Sequence, residues 1–309
     1  MVTFSVQQKL SQLGFSSEIL QWENLRHLAH LTALKQSPSG QFHLGHWWRG
    51  PLLYSLVYHY RPCHILEFGT GRGYGSICMA KAAWDAGIPC TLWTIDKIPP
   101  TTPQLWPIDE GNGPEIKQLS LAQIWDQYLP AQLTQRIHCL TGDSAPVMKK
   151  WRQNGKPSID FCFIDGGHDY WTVKHDFLSA LKVVNPGCTF LFDDYIERKD
   201  YGIKRLIDRE IRRHIPPQAI EIIDVFSENT TQAIPHPMVL LSGEHIESEP
   251  TCQFYTRKAI RRFEWSYKVR RKLLSILNGR FSAREDPVKV ALHVKHRLVK
   301  IASGDTFEI

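Results

Sequence analysis

The sequence contains no CxxC pair, and its 7 cysteines, at positions 63, 78, 90, 139, 162, 188 and 252, are odd in number and sit mostly inside apolar runs. That pattern argues against a disulfide framework or a zinc site and for a reducing compartment. No apolar run approaches the roughly 20 residues needed to span a bilayer. The opening MVTFSVQQKLSQLGF lacks a basic start followed by a long apolar stretch, so no signal peptide is expected. A cytoplasmic location is the matching expectation. Internal repeats are absent. With 42% hydrophobic, 22% charged and 11% aromatic residues, the composition excludes a mainly disordered, collagen-like or coiled-coil chain. What remains is a globular protein of 309 residues, long enough for one α/β domain with extensions.

Charge of one sign is concentrated at one end. Residues 257–309 hold 14 basic and 5 acidic residues, a net of +9, whereas the whole chain carries +6. The body is therefore slightly acidic, and only the tail invites a nucleic-acid reading. In that tail Arg257, Lys258, Arg261, Arg262, Lys268, Arg270, Arg271 and Lys272 interleave with Phe263, Trp265, Tyr267, Leu273, Leu274, Ile276 and Leu277. Such a basic helix can lie on an anionic membrane, but packing against the body or a second subunit is the simpler expectation. A homo-oligomer is expected, peripheral membrane contact stays open, and no nucleic acid is expected.

Residues 1–60 read as mostly helical, a lid or substrate region broken by SPSGQFHLGHWWRG (37–50). His43, His46, Trp47 and Trp48 are candidates there for an acceptor wall, with the tryptophan pair fitting core packing better. From residue 61 to 250 short apolar runs rich in β-branched residues alternate with helical stretches: HILEFG (64–69), TLWTID (91–96), RIHCLTGD (136–143), IDFCFIDG (159–166) and CTFLFDD (188–194). Strands apolar on both faces and separated by helices predict a parallel, doubly wound α/β sheet. EIIDVFS (221–227) and MVLLSG (238–243) should close it as an antiparallel pair, giving seven strands in a Rossmann-like domain. A proline- and glycine-rich insertion occupies 97–130, and 251–309 forms a basic helical extension.

The first strand runs into Glu67-Phe68-Gly69-Thr70-Gly71-Arg72-Gly73-Tyr74-Gly75. Strand, glycines, then helix is a nucleotide-binding arrangement, since glycine permits the tight turn and the helix start offers free N–H groups. The spacing is not the dinucleotide fingerprint: Tyr74 and Ser76 stand where a third glycine would be needed. An acid followed by GxGxG resembles the first motif of class I S-adenosylmethionine-dependent methyltransferases. The resemblance implies that Glu67 serves the methionine end of the ligand and that Gly69, Thr70, Gly71, Gly73 and Tyr74 form the turn around it. Asp96, ending the second strand, is placed to accept both ribose hydroxyls. Asp143-Ser144, ending the third, falls where that family contacts the adenine. Capping of the following helices is the bland alternative for these acids.

The fourth strand ends Asp165-Gly166-Gly167-His168-Asp169-Tyr170 and the fifth ends Asp193-Asp194-Tyr195. Neighbouring strands lie about 4.8 Å apart with their C-terminal ends at the ligand crevice, which gathers Asp165, Asp193 and Asp194. Three carboxylates repel unless protonated or neutralised. An all-oxygen set suits a hard cation, most plausibly Mg²⁺.

The run DGGHDYWTVKHDF followed by NPG and FDDY is similar to the metal-dependent O-methyltransferases acting on sugars of macrolide and aminocoumarin antibiotics, and to cephalosporin-hydroxylase-like relatives, over about residues 40–245. That similarity implies Mg²⁺ on Asp165, Asp193 and Asp194, with Asp165 also beside the methyl donor. It further implies His168 as general base, since the acid that some members use one residue earlier is Gly167 here. The expected activity is Mg²⁺-assisted O-methylation of a saccharide or small polyol by S-adenosylmethionine. A metal-independent or RNA-modifying methyltransferase, and a non-catalytic S-adenosylmethionine-binding protein, are the competing readings.

Overall fold

The alternation of apolar strands and helices read from residue 61 onward is realised in a computed structural model that describes residues 1–16, 21–45, 47–226, 235–247 and 249–281. In chain order, β1 (Val2–Ser5) leads into α1 (Val6–Gln12), whose start Ser5 and Gln8 cap reciprocally. Next come α2 (Gln21–Thr32), the hairpin of β2 (Leu34–Gln36) and β3 (Phe42–Leu44), and the largely buried α3 (Arg49–Tyr60). Then follow β4 (His64–Phe68), α4 (Tyr74–Asp85) and β5 (Thr91–Asp96). The insertion folds as a second hairpin, β6 (Gln104–Asp109) and β7 (Pro114–Leu119), followed by α5 (Leu121–Tyr128) and α6 (Ala131–Thr134). The remainder is β8 (Ile137–Thr141), α7 (Ser144–Lys149), β9 (Ile159–Ile164), α8 (Tyr170–Ala180), β10 (Val184–Phe192), α9 (Ile203–Arg209), β11 (Ile220–Phe226), β12 (Pro235–Leu241), α10 (Pro250–Phe254) and α11 (Arg257–Phe281).

The main sheet has 8 strands in the order β1-β11-β12-β10-β9-β4-β5-β8. All pairs are parallel except those of β12, which runs antiparallel to both β10 and β11. The α/β class is as expected, but seven strands become eight. The extra strand is β1, which corrects the reading of residues 1–60 as helical. Its residues Val2–Ser5 pair in parallel with Glu221–Asp224, and buried Lys9 meets Glu221 at 2.5 Å. The segment 37–50 likewise holds half of a β-hairpin rather than a bare turn. Trp47 is buried and Trp48 packs against the core, as the packing alternative for that pair required, and His46 lies outside the described residues.

Strand order reverses between β4 and β9, so helices from successive crossovers diverge there and leave a crevice at the strands' C-terminal ends. The core beneath is built from β4, β5, β9 and β10, where Ile65, Leu66, Phe161, Phe163, Phe190 and Phe192 are all essentially inaccessible.

The chain divides into two units, residues 1–256 and the segment from Arg257 onward. In the second, Ile260, Phe263 and Tyr267 are buried while Trp265 is 62% exposed. Among the described residues no helix is long and apolar enough to cross a membrane.

Candidate active site

The glycine turn after β4 is shaped by close backbone approach. Gly69 adopts φ +93°, and a Cβ there would collide with the backbone carbonyl of Asp165. That contact lets β4 and β9 end flush, with the Asp165 N–H donating to Phe68 O at 2.9 Å. Gly73, at φ +78°, forms the N-terminal cap of α4 against Trp125.

The two acids of this half are held by neutral partners. Glu67 is 1% exposed and accepts from the Ser76 hydroxyl. Burial pushes its carboxyl up to about 7, with the hydroxyls of Ser76 and Thr94 opposing. Its Oε1 packs so closely on the first turn of α4 that a Cβ on Gly75 would meet it. Thr70 and Thr94 share a hydroxyl hydrogen bond at 2.7 Å. Asp96 accepts from the Gly71 N–H and the Ile98 N–H, both at 2.9 Å, and lines a cleft with Thr70, Gly71, Pro99, Leu121 and Cys139. Three other predicted residues have side-chain partners within the protein. The Tyr74 hydroxyl donates to Trp47 O at 2.9 Å, tying α4 to the segment before α3. Asp143 caps α7 by position without a side-chain cap bond and pairs with Lys97 at 3.3 Å. The Ser144 hydroxyl donates to Asp176 on α8.

The other half of the crevice gathers Asp165, Asp193 and Asp194, whose ligand oxygens all lie within 4.8 Å of one another. Successive strand residues point to opposite faces. Asp193 and Asp194 converge because Asp194, just past β10, takes a left-handed φ of +55°, a conformation aspartate tolerates better than most residues. An unusual backbone at a cluster of charges marks a place where side-chain direction matters more than local ease.

The chain also brings basic side chains of its own to these acids. Arg49, the first residue of α3, donates from Nη1 to Asp165 Oδ2 at 2.6 Å and from Nη2 to Asp193 Oδ2. His168 Nδ1 meets Asp194 Oδ2 at 3.0 Å, and His236 Nδ1 lies 3.9 Å from Asp194 Oδ1. Burial, with Asp193 and Asp194 nearby, drives the Asp165 carboxyl well above the usual range against the opposing pull of Arg49. Burial also works against ionised Asp194, but the His168 hydrogen bond and charge, with Arg49 and His236, hold it below the usual value. The bond to Asp194 raises the His168 imidazole in turn, despite partial burial. Its ring stacks on Tyr201 at 4.9 Å between centroids. Lys35 on β2 is lowered by burial and by the charges of Arg49 and Arg72.

Arg49, Lys35, His236 and Tyr201 were thus missed. The demand for positive charge was legible in the acid cluster, but nothing local to Arg49 distinguishes it among 37 lysines and arginines. It lies 116 and 144 positions from its two partners.

Chemically, an Nδ1–H donated to Asp194 leaves the His168 Nε2 lone pair available to accept a proton, the orienter–base relation of many active sites. The imidazole is 46% exposed and so reachable by an incoming hydroxyl.

Residues 66–195 match the family described as "Methyltransferase domain". This stretch, 130 of the 309 residues, runs from within β4 to just past β10. Among solved structures the chain is similar to an O-methyltransferase from Bacillus cereus in complex with SAH, at 20% identity and a TM-score of 0.46, over 77% of this chain and 97% of that one. It is also similar to TomG from Streptomyces achromogenes, an O-methyltransferase involved in tomaymycin synthesis solved with SAM, at 19% identity and a TM-score of 0.45, over 77% of this chain and 96% of that one. No curated protein sequence matches the chain.

Proposed function

We propose that the protein transfers the methyl group of S-adenosylmethionine to a hydroxyl of a saccharide or small polyol, assisted by Mg²⁺. The observation that carries this reading is the meeting of two half-sites at one strand-order reversal, with Gly69 packed on the Asp165 carbonyl. The cleft beside Thr70, Gly71 and Asp96 suits the donor's nucleoside, because the remaining lone pairs of Asp96 can accept ribose hydroxyls.

The residues of the acid cluster fit a hard divalent cation: three carboxylates, no sulfur, and ligand atoms close enough to share one ion. Asp165, Asp193 and Asp194 would hold it, and a bound ion supplies charge that lowers the pKa of a nearby hydroxyl. A sulfonium is an already activated donor, so the protein's task is to position the acceptor and take its proton. His168 does the latter through Nε2, held in place by Asp194 and the Tyr201 ring. Acceptors with vicinal hydroxyls match an ion beside a base.

The test is a calorimetric titration of full-length protein with S-adenosylmethionine and with Mg²⁺, followed by a screen of glycans and small polyols for a mass gain of one methyl. Donor binding with methylated polyol supports the reading. Failure to bind the donor overturns it. Full turnover after chelation would strip the ion from the mechanism and leave Arg49 as the cluster's cation.

A further inference from the structure

The guanidinium of Arg49 bridges two of the three acids of the cluster. Its two outer nitrogens reach Asp165 Oδ2 and Asp193 Oδ2 together, and the side chain is only 16% exposed. Planar, always charged and fork-shaped, it is the side chain best suited to bridge two carboxylates. The third acid, Asp194, is met by His168 and His236. Asp165 and Asp193 therefore share a positive partner from the chain itself, and Asp194 is held by two imidazoles.

We infer that Arg49 is a resident counter-ion that exchanges with the divalent cation, so that the guanidinium and the metal are alternative occupants of Asp165 and Asp193. This rests on the reading of the three aspartates as an ion site. A dication shared by all three acids must sit beside the guanidinium, which already holds one oxygen of Asp165 and one of Asp193. Two such cations in contact repel, and in a buried site little water screens them. Loading is thus a swap of one positive group for another, and affinity is lower than three carboxylates would otherwise give.

The backbone beneath Arg49 is held, which makes the swap a side-chain movement. Gly50, the next residue, leaves no room for a Cβ against the Tyr74 hydroxyl and Cys78 Sγ. The Tyr74 hydroxyl in turn holds Trp47 O at 2.9 Å. Residues on both sides of Arg49 are therefore seated on α4. Lys35 lies close enough for its charge to feel Arg49, Asp165 and Asp193, which keeps a second cation near the acids when the first swings out.

The experiment compares wild type, Arg49→Gln and Arg49→Lys by calorimetric titration with Mn²⁺ and by electron paramagnetic resonance of unbound Mn²⁺. Arg49→Gln should bind Mn²⁺ at least tenfold more tightly than wild type, with Arg49→Lys between them. Mg²⁺ should also raise the Tm of Arg49→Gln more than that of wild type, because only the variant lacks a cation at the acids. Equal affinities within twofold, or weaker binding by Arg49→Gln, overturn the exchange while leaving the ion site standing. If neither protein binds Mn²⁺ but both bind S-adenosylmethionine, the ion reading falls and the exchange with it. Should Arg49→Gln not fold, nitrogen-15 spectra of the wild-type arginine side chains decide. The Arg49 signals should move on saturation with Mg²⁺, and signals that stay fixed overturn the proposal.

Discussion

The two halves of the crevice handle buried acids in opposite ways. On the β4–β5 side, Glu67 and Asp96 are satisfied by hydroxyls and backbone N–H groups, all within about one βαβ unit. On the β9–β10 side, Asp165, Asp193 and Asp194 are met by arginine and histidine side chains, of which Arg49 arrives from outside the matched stretch. The difference suits the two tasks. A neutral, braced turn offers fixed amides to a cofactor. On the proposed reading, a charged cluster held by side chains can trade partners when an ion or substrate enters.

The largest test of this contrast is Asp193→Asn, which removes a 2% exposed carboxylate from Arg49 and leaves the guanidinium half-paired. Methyl transfer should fall by about 1,000-fold, and stability by roughly 3–5 kcal/mol, the usual cost of orphaning a buried charge. Denaturant melts and product mass report both, and a loss below 1 kcal/mol would break the contrast. His168→Ala comes next. Loss of a general base lowers kcat by about 10²–10⁴-fold, with the donor Kd unchanged by calorimetry. Loss of donor binding in this variant would move His168 to the other half-site.

Glu67→Gln addresses the neutral side through pH. The native carboxyl sits near 7, above its ordinary value of 4.5, so the folded state holds the proton more tightly than the unfolded chain. Its contribution to stability is complete below pH 4.5 and is lost as pH rises through 7. At about 1.4 kcal/mol per pKa unit, wild type should lose roughly 3 kcal/mol relative to Glu67→Gln between pH 4.5 and 8. A difference independent of pH, measured by urea unfolding, would show Glu67 to be ionised throughout. The smallest effect is that of Thr70→Val, which breaks one buried hydroxyl pair and should cost about 1 kcal/mol with little change in kcat.

The same contrast explains what the amino-acid sequence revealed. The neutral half is local: strand, glycines, helix and a following acid lie in order along the chain, so the turn, Asp96 and the α/β class were all legible. Asp165, Asp193 and Asp194 were legible as well, because each ends a recognisable apolar strand. Their partners were not. Arg49 sits after a tryptophan pair in a glycine-rich stretch with no periodicity to place it. β1 was hidden because VTFS is short, its two N-terminal residues are exposed, and its pairing partner β11 lies at the far end of the unit. Asp143 and Ser144 occupy the expected strand end, yet their side chains turn to Lys97 and Asp176, contacts that depend on tertiary packing.

The edge strand gives the amino-terminal stretch an anchorage at each end. One is the ladder of Val2–Ser5 on β11, backed by Lys9 on Glu221, and the other is Arg49 clamped between carboxylates in the middle of the sheet. The stretch that begins as an edge strand thus ends in the side chain that gathers two of the three acids.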